Sequence, residues 1–327
     1  MRCLVTGGAG FIGSHLVDRL LKDGHKVIVI DNFSTGRAEN LTWHRHKNNL
    51  RVIKADIFDF NKIAPYFKGV KVVFHIAGLA DIVPSITNPL IYYRANAYGT
   101  MVVSEASRLS QVKKLIYAAS SSCYGIADIY PTPETAPIRP QYPYALSKYL
   151  GEQTVLHWGK VYKFTAISLR LFNVYGPRSR TSGTYGAVFG VFLSQKLNKK
   201  PFTVVGDGNQ MRDFIYVSDV VDAFIRASES SLGNEVMNVG SGNTYSISLL
   251  VKILGGKVEY IPKRPGEPEL THADIGRIKR MLNWEPLVKF EDGVNLMLDN
   301  IGYWKDAPVW TKEKINRATE DWFKFLS

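Results

Sequence analysis

The chain has 327 residues with a hydrophobic fraction of 45%, and this length exceeds what one hydrophobic core usually supports, so a globular protein with two lobes is expected. Its formal net charge is +12, but the basic residues are spread along the chain, which disfavours nucleic acid as a partner and favours an anionic small molecule. No apolar run approaches the roughly 20 residues of a membrane helix, so no membrane span is expected.

The first predicted element is a strand, turn and helix at the start of the chain. Residues 3–5 predict a short buried strand, and Gly7, Gly10 and Gly13 follow it before a helical pattern of apolar residues. Such glycines permit a tight turn, close approach of a pyrophosphate and close packing of the helix, whose free N–H groups can bind an anion. A plain structural turn is the alternative. The early position of this unit leaves no room for a signal or transit peptide before it, so a cytoplasmic protein is expected.

The second predicted strand, residues 26–30, ends at Asp31. An acid at this place, about 20 residues after the glycines, accepts hydrogen bonds from both hydroxyls of an adenosine ribose and repels a 2′-phosphate. NAD is therefore expected as the cofactor in preference to NADP. Farther along, His44 and His46 have no cysteine or acid near them in the sequence, so a solvated loop is expected there and no metal site.

Up to residue 174, short β-rich runs alternate with helical patterns. This order predicts an α/β fold with a doubly wound parallel sheet of the Rossmann type, covered by helices on both faces. The remaining strands of this sheet are expected at 51–54, 71–75, 114–119 and 164–170.

Three residues near the predicted strand ends are candidates for cofactor contacts. Asp56 follows the third strand, where an acid can meet the adenine amino group. Ala77 belongs to a run of small residues after the fourth strand, which lets the chain pass close beneath a cofactor. Asn96 lies on a potentially buried helix face, and because a buried asparagine needs hydrogen-bond partners, it is either a structural strut or a cofactor contact.

Candidate catalytic groups follow in the fifth strand and the next helix. Tyr144 and Lys148 are four residues apart and share one helix face. A free tyrosine has a pKa near 10, but a cation at about 4 Å contributes about 4 kcal/mol, which lowers that pKa by about three. Lys148, together with oxidised nicotinamide, is therefore expected to make Tyr144 a base near neutral pH. Ser120 ends the fifth strand and either contacts the reacting group or only caps a turn.

The two cysteines, Cys3 and Cys123, are too few for a disulfide framework and are expected to be reduced. Cys123 is disfavoured as a nucleophile because no histidine or aspartate lies near it in the sequence.

Beyond residue 175 the amino-acid composition changes, and Gly, Pro and basic residues become frequent. A further strand, helix and strand then suggest a return to the first lobe. We expect an NAD-binding domain of residues 1–174, joined again by 212–245, and a smaller mixed α/β substrate lobe of residues 175–211 and 246–327. The tail aromatics are expected to be core or cap residues; they include Trp304, Trp310, Trp322 and Phe323.

Several motifs occur together in this chain. They are Thr6-Gly-Gly-Ala-Gly-Phe-Ile-Gly13, Asp31-Asn32, Asp56-Ile57, His75-Ile-Ala-Gly78, the segment from Asn96 to Thr100, Ser120-Ser-Ser-Cys-Tyr-Gly125, Tyr144-x-x-x-Lys148, Asn173-Val-Tyr-Gly-Pro177 and Arg212-Asp-Phe-Ile-Tyr-Val-Ser-Asp219. This combination resembles the extended short-chain dehydrogenase/reductases of the NAD-dependent epimerase/dehydratase family, and within them the UDP-glucose and UDP-N-acetylglucosamine 4-epimerases. The resemblance extends over essentially the whole chain.

The resemblance implies a role for each matching residue. Tyr144 is the base at the sugar O4 hydroxyl, Lys148 lowers its pKa and holds the nicotinamide ribose, and Ser120 hydrogen-bonds O4. The implied NAD contacts are Gly7, Gly10, Phe11, Ile12, Gly13, Asp31, Asn32, Asp56, Ile57, Ala77, Asn96, Tyr144 and Lys148. The implied UDP-sugar contacts are Ser122, Asn173, Arg212, Phe214, Arg264, Glu267 and Thr271. A homodimer that pairs helices near 90–109 and 143–160 is also implied.

Three positions bear on the exact reaction. Dehydratases and decarboxylases similar to this chain carry an acid two positions after the catalytic Ser or Thr, where this chain has Ser122, so simple return of hydride and a UDP-hexose 4-epimerase are favoured. Ala80 stands where many galactose-type epimerases have lysine. Thr271 aligns with a sugar-pocket position at which a small residue admits an N-acetyl group, so both sugar types are expected as substrates.

Two alternatives to the epimerase stay open. One is a nucleotide-sugar 4,6-dehydratase or a UDP-glucuronate epimerase or decarboxylase on the same scaffold, which Ser122 disfavours. The other is a non-catalytic NAD-binding regulator, which the intact Ser120, Tyr144 and Lys148 disfavour.

Overall fold

A computed structural model of the protein describes residues 1–44, 48–179 and 187–326. The described strands are β1 (Arg2–Thr6), β2 (Lys26–Asp31), β3 (Leu50–Lys54), β4 (Val72–His75), β5 (Lys114–Ser120), β6 (Thr165–Leu171), β7 (Asn173–Tyr175), β8 (Phe202–Val205), β9 (Met211–Arg212), β10 (Phe214–Tyr216), β11 (Glu235–Val239), β12 (Tyr245–Ser246) and β13 (Val258–Ile261). Seven of these strands form one parallel sheet in the order β11-β6-β5-β4-β1-β2-β3. The predicted fold class is therefore confirmed.

The six strands predicted before residue 174 are all present, and each of their bounds lies within one residue of the prediction. They were recognisable because helices cover both faces of the sheet, which makes a buried strand apolar along nearly its whole length. In β1, for example, Cys3, Leu4 and Val5 are all fully buried.

Helices flank the sheet and build the second lobe. The α-helices are α1 (Phe11–Lys22), α2 (Phe60–Ile63), α3 (Ile82–Thr87), α4 (Pro89–Tyr92), α5 (Gly99–Leu109), α6 (Pro143–Tyr162), α7 (Val188–Leu197), α8 (Val217–Glu229), α9 (Ile247–Leu254), α10 (Gly276–Leu282), α11 (Phe290–Asp299), α12 (Lys312–Ala318) and α13 (Glu320–Leu326). A π-helical turn, Tyr93–Tyr98, leads into α5, and short 3₁₀ turns cover Ala38–His44, Ala64–Phe67, Ser121–Tyr124 and Ile301–Trp304.

The strand order places a crevice beside β1. From β1 the chain proceeds outward through β2 and β3, whereas β4, β5 and β6 follow on the other side. In open parallel sheets a ligand binds at the carboxyl ends of the strands where the order reverses. Gly7 follows β1 and Ala77 follows β4, so the predicted cofactor loop lies at this point.

The second half of the chain contributes to both parts of the molecule. β11 pairs with β6 at the edge of the main sheet, and α8 packs beside α1. β10 instead pairs with β7, and β8 pairs with β13, outside that sheet. A separate aromatic core lies there, and it includes Tyr175, Phe189, Phe192, Phe202, Phe214, Phe290 and Trp304.

The tail aromatics differ in exposure. Trp304 is fully buried, Trp310 packs against the aromatic core, and Trp322 is 3% exposed, as predicted for core or cap residues. Phe323 is 37% exposed and stands among the exposed hydrophobic side chains, so it is not a core residue as predicted.

The described residues contain no group of three or more His, Cys, Asp or Glu side chains that could hold a metal ion. His46 and the side chain of His44 lie outside what the structure describes. Cys3 and Cys123 are free and buried, and burial raises the pKa of the Cys3 thiol to about 11 and that of Cys123 to about 12, so neither is activated as a nucleophile. Within the described ranges no helix is long and apolar enough to cross a membrane.

Candidate active site

The turn after β1 has room only for glycine at two places. Gly7 has a φ of +69°, and a Cβ there would lie 2.7 Å from the backbone nitrogen of Ala77. A Cβ on Gly13 would lie 2.1 Å from the Gly7 carbonyl oxygen. The turn therefore touches the loop after β4 on one side and the first turn of α1 on the other.

Helix α1 begins at Phe11, directly after this turn, and its first intrahelical bond joins the Ser14 N–H to the Gly10 carbonyl. The N–H groups of Phe11, Ile12 and Gly13 have no acceptor within the helix, as at any helix start. Together with the positive end of the helix dipole, they suit a pyrophosphate.

Asp31 stands at the end of β2, next to this turn. Its Oδ2 accepts a hydrogen bond from the Ala9 N–H at 2.9 Å, and its Oδ1 accepts one from the Phe33 N–H at 2.8 Å. Burial raises the pKa of Asp31, while the two N–H groups oppose that rise. Each carboxylate oxygen has a second lone pair. The carboxylate is thus held in place with acceptor capacity left for a ribose diol, which fits the cofactor predicted from the sequence.

The structure brings Asn32 and Asp56 together, since the Asn32 amide donates to Asp56 Oδ2 at 2.7 Å. Ile57 is buried, and a Cβ on Gly99 of α5 would lie 2.7 Å from its Cδ1. The side chain of Ile57 therefore packs into the core, and a contact with an adenine would come from its backbone.

Asn96 has protein partners for both amide hydrogens. Its Nδ2 donates to the Leu79 carbonyl at 2.9 Å and to Ser147 Oγ at 3.0 Å, and its Oδ1 accepts from the Leu79 N–H at 2.8 Å. The side chain thereby ties the loop after β4 to helix α6. Of the two interpretations of Asn96, these contacts favour the structural strut.

Ser120, Ser122 and Tyr144 form one hydrogen-bonded group. The Tyr144 hydroxyl donates to Ser120 Oγ at 3.1 Å, and the hydroxyls of Ser120 and Ser122 are 2.7 Å apart. Ser120 ends β5, and Tyr144 lies in the first turn of α6, so the geometry brings together two residues that are 24 positions apart in the sequence. The Ser120 hydroxyl also accepts from the Ser122 N–H, so it caps a turn as well as meeting the tyrosine.

The pKa of Tyr144 is shifted upward in this structure, in the direction opposite to the expected one. Burial raises it, and hydrogen bonds with Ser120 and Ser122 only partly counteract that effect. The sequence argument counted only the attraction between the phenolate and Lys148 at about 4 Å. It omitted the free-energy cost of burying the ionised phenol. The prediction of a lowered pKa is therefore wrong for the protein chain alone.

Lys148 lies one turn after Tyr144 and is buried, with its ammonium nitrogen 4.3 Å from the centre of the Tyr117 ring. Burial lowers the pKa of Lys148 to about 7, and the charge of Glu152 on the same helix opposes that shift. A Cβ on Gly78 would lie 3.5 Å from Lys148 Nζ and 2.9 Å from Asn96 Oδ1. The lysine thus lies against the loop that follows β4, beside the sheet crevice.

Two arginines meet on one carboxylate at the second lobe. Arg212 donates to Glu267 Oε1 at 3.1 Å, and Arg264 approaches Glu267 Oε2 at 3.6 Å. The Thr271 hydroxyl donates to Asn173 Oδ1 at 2.8 Å and accepts from the Asp213 N–H at 3.1 Å. These contacts gather five of the seven predicted substrate residues into two groups: Arg212, Arg264 and Glu267 in one, and Asn173 and Thr271 in the other.

Phe214 belongs instead to the aromatic core. Its ring is 5% exposed, stacks on Phe290 at 5.4 Å and meets Phe189 edge-on at 5.3 Å. The ring therefore packs within the second lobe, and a contact with uridine would come from its backbone.

Comparison with known proteins agrees with this geometry. Residues 3–240 match the model of the NAD-dependent epimerase/dehydratase family. A UDP-glucose 4-epimerase from Mycolicibacterium smegmatis is 38% identical over 303 residues, which cover 90% of this chain and 96% of that protein. The chain belongs to the NAD-dependent epimerase/dehydratase family. The prediction of this family and the prediction of an NAD-dependent isomerase are thereby confirmed.

Solved members of the family have the same fold. The UDP-glucose 4-epimerase of Thermotoga maritima, solved with UDP-glucose, is 35% identical, has a TM-score of 0.86, and covers 94% of this chain and 99% of its own. The UDP-glucuronic acid 4-epimerase of Bacillus cereus, solved with UDP-glucuronic acid and NAD, is 30% identical, has a TM-score of 0.86, and covers 92% and 99%. The predicted cofactor, NAD, is confirmed. Similar proteins also include a UDP-N-acetylglucosamine 4-epimerase, UDP-glucuronic acid decarboxylases and a dTDP-glucose 4,6-dehydratase, so family membership alone does not specify the reaction.

The sequence argument did not predict one buried ion pair that lies behind the candidate active site. Glu152 and Arg170 are both at most 5% exposed at the side chain and are joined at 2.6 Å, and Arg170 also donates to the Tyr124 hydroxyl at 2.9 Å. The pair links helix α6 to β6 and to the turn that carries Ser122. The only local signal is that Glu152 lies four residues after Lys148; its partner is 18 residues away and on another element.

Replacing Asp31 by alanine is expected to weaken NAD binding by on the order of tenfold or more and to reduce the preference for NAD over NADP, because hydrogen bonds to the ribose and repulsion of a 2′-phosphate are both lost. Titration of cofactor-free protein with NAD and with NADP measures both effects. Asp31→Asn is the matched variant, since it keeps the side-chain shape and one acceptor oxygen, for either the Ala9 or the Phe33 N–H, but loses the charge and the second acceptor oxygen. Unchanged NAD affinity in Asp31→Ala would contradict this role.

Proposed function

We propose that the protein is a UDP-hexose 4-epimerase that holds NAD tightly and acts through a 4-keto sugar. The observation that carries the proposal is the hydrogen bond between Tyr144 and Ser120 beside the buried Lys148. Ser122 adds to it, because a serine stands where the dehydratases and decarboxylases that resemble this chain carry an acid.

The chemistry assigned to the chain is a proton transfer at the sugar O4. Ser120 donates a hydrogen bond to O4 and keeps it near the Tyr144 oxygen, which takes the O4 proton and later returns it. NAD, held by the residues around the glycine turn and by Lys148, would supply a reversible hydride acceptor for C4; the 4-keto sugar would turn in the site before the hydride returns to its other face, so that no net oxidation results. Lys148 holds the nicotinamide ribose; its cationic form, together with the positive charge of oxidised nicotinamide, would offset the burial that raises the pKa of Tyr144.

The cofactor contacts are proposed for the residues around the crevice. The N–H groups after the glycine turn bind the pyrophosphate, Asp31 binds the adenosine ribose, and the Asn32 and Asp56 pair faces the adenine. The full proposed set is Gly7, Gly10, Phe11, Ile12, Gly13, Asp31, Asn32, Asp56, Ile57, Ala77, Tyr144 and Lys148, with Asn96 acting through the loop after β4 that it holds in place.

The UDP-sugar is assigned to the other side of the crevice. Arg212 and Arg264 are a paired cationic site for a diphosphate, and the shared Glu267 holds the two guanidinium groups together. Asn173 adds an amide donor beside Thr271. Ser122 faces the sugar from the turn after β5, and Phe214 contributes backbone contacts.

A dehydratase or decarboxylase is the second candidate, because proteins of both kinds are similar to this chain. Elimination from the 4-keto sugar needs a base at the neighbouring carbon. The hydroxyl of Ser122 is not a base, and it is already bonded to Ser120. A non-catalytic NAD-binding regulator is disfavoured by the contact between Ser120 and Tyr144.

The proposal is tested by incubating the purified protein, without added cofactor, with UDP-glucose, UDP-N-acetylglucosamine and UDP-glucuronate and separating the products. We expect C4 epimers of unchanged mass and NAD(H) that remains bound. A product that has lost water or carbon dioxide would indicate the dehydratase or decarboxylase. Activity that consumes added NAD in proportion to product would indicate a net dehydrogenase, and bound NAD without turnover would indicate the regulator.

We also propose the two-lobed division expected from the sequence, with residues 1–174 and 212–245 around the cofactor and residues 175–211 and 246–327 around the UDP-sugar. The pairing of β11 with β6 and the packing of α8 beside α1 support it. A cytoplasmic location stays a prediction.

A homodimer is proposed through α5 and α6. These helices pack side by side, and their outer surface presents apolar side chains that are substantially exposed, with Tyr98 at 51%, Met101 at 42% and Leu150 at 39%. Apolar groups clustered on one surface mark an interaction site, and helices on that surface pair with their symmetry copies in a two-fold dimer.

The double variant Met101→Arg and Leu150→Arg is expected to convert the dimer to monomers at micromolar concentration, because four buried charges would face each other across the interface. Sedimentation velocity measures the oligomeric state. Leu287→Arg is the control, since Leu287 is 79% exposed and belongs to the segment between α10 and α11. A wild-type monomer, or dissociation of the control as well, would contradict the proposal.

A further inference from the structure

The C-terminal helix α13 lies against the active-site side of the molecule. It packs on α3, which follows the loop after β4, and on α12. Most of its side chains are exposed, but Trp322 is 3% exposed, so this residue anchors the helix. The contacts of the Trp322 ring therefore show which segments α13 is held against.

Trp322 lies between the loop that carries Arg264 and the residue that precedes helix α6. Its indole N–H donates to the Pro265 carbonyl at 2.7 Å, and the Arg264 guanidinium lies 5.5 Å from its ring centre. On the other side its ring lies 6.4 Å from that of Tyr142. The indole therefore fills the space between the diphosphate loop and the start of helix α6.

Tyr142 connects this contact to the base. It immediately precedes α6, and its ring is parallel to the Tyr144 ring within 6°, with centres 6.3 Å apart. Arg264 is connected to Arg212 through Glu267. A continuous set of contacts thus joins the residue proposed to accept the O4 proton to the residues proposed to hold the diphosphate.

We infer that Trp322 is a positioning residue for the UDP-sugar: it holds the loop of residues 264–267 against the start of α6, so that Arg264 and Tyr144 keep the spacing that one substrate molecule requires. The inference rests on the proposed function. Trp322 itself touches no reacting atom, and it acts through Arg264, Pro265 and Tyr142.

The role predicts a particular pattern of kinetic change. Without the indole, the loop loses a hydrogen bond and a cation–π contact, and the substrate must order it on binding. Trp322→Ala is therefore expected to raise the KM for UDP-glucose, and the Kd for UDP, by on the order of tenfold, while kcat changes by less than about threefold. The NAD content should stay that of the wild type, because the glycine turn and Asp31 lie on other elements.

The experiment compares three variants of the full-length, NAD-containing protein. Trp322→Ala removes every contact, Trp322→Phe restores a ring beside Tyr142 and Arg264 without the N–H, and Phe325→Ala removes an aromatic side chain from the same helix that is 60% exposed. KM and kcat are measured for UDP-glucose, the Kd for UDP by calorimetry, bound NAD by absorbance, and the melting temperature. We expect Trp322→Phe to lie between Trp322→Ala and the wild type, and Phe325→Ala to match the wild type.

The outcomes separate this inference from the proposed function. Wild-type KM and UDP affinity in Trp322→Ala would overturn the inference alone. Equal loss of UDP binding, NAD content and melting temperature would also overturn it, because Trp322 would then serve only folding. A wild-type protein that does not bind UDP would overturn the proposed function and this inference with it.

Discussion

Replacing Tyr144 by phenylalanine is expected to lower the rate of C4 epimerisation by about a thousandfold or more, because the change deletes the one group assigned to take the O4 proton. The phenylalanine ring keeps the packing against Tyr142, whose ring is parallel to it. The lost hydrogen bond to Ser120 leaves that hydroxyl with Ser122 as its partner. The effect should therefore fall on kcat, with bound NAD unchanged.

Product formation from UDP-glucose under saturating conditions measures the effect, and absorbance of the denatured supernatant measures the bound NAD. Tyr149→Phe is the matched control, because it removes one phenolic hydroxyl from the same helix, away from Ser120. Near wild-type turnover in Tyr144→Phe would reject this residue as the base. Loss of NAD from the variant would show that the change damaged the cofactor site instead.

The elements that the sequence predicted well are those whose signal is local. The strand that ends before Gly7 and the helix after it were predictable from a change in the spacing of apolar residues. Apolar residues are consecutive before the three glycines, as in a buried strand, and recur at helical spacing after them. The spacing of Tyr144 and Lys148 fixes their shared helix face in the same way. The contact with Ser120 depended on the resemblance to a family, since the two residues lie on different elements.

What the sequence did not predict depends on contacts between distant segments. The pKa of Tyr144 rises because neighbours from several elements bury it, and the sequence carries no measure of that burial. Phe214 was assigned to the uridine, but its ring, which β10 carries, packs against Phe189 of α7 and Phe290 of α11. Trp322 was predicted only as a core or cap residue, because its contact with Pro265 spans 57 positions.

Thr271 tests how the site selects its sugar. In the family that this chain resembles, a large aromatic at this position restricts the pocket, and a smaller residue admits an N-acetyl group. We therefore expect turnover of UDP-N-acetylglucosamine alongside UDP-glucose. The structure adds a competing role, because the Thr271 hydroxyl joins Asn173 to the Asp213 N–H and so anchors the loop.

Two substitutions distinguish a role of Thr271 in limiting the size of the sugar from a role of its hydroxyl in holding the loop. Thr271→Val keeps the volume and deletes the hydroxyl, whereas Thr271→Tyr fills the space beside Asn173 with a ring. Steric exclusion discriminates more sharply than the loss of one contact, so Thr271→Tyr is expected to lower kcat/KM for UDP-N-acetylglucosamine by on the order of a hundredfold and to affect UDP-glucose much less. Thr271→Val is expected to change both substrates by the same small factor.

The comparison is made by measuring kcat/KM for both sugars in the wild type and in the two variants. A pocket that is gated by size gives a selectivity that changes only in Thr271→Tyr, because the N-acetyl group and the new ring compete for the same space. If Thr271→Tyr and Thr271→Val reduce both sugars equally, the threonine acts through its hydroxyl bonds to Asn173 and Asp213, and the limit on sugar size lies elsewhere in the pocket. A wild type that does not act on UDP-N-acetylglucosamine would reject this role for Thr271, since a small residue at this position would then not suffice to admit the N-acetyl group.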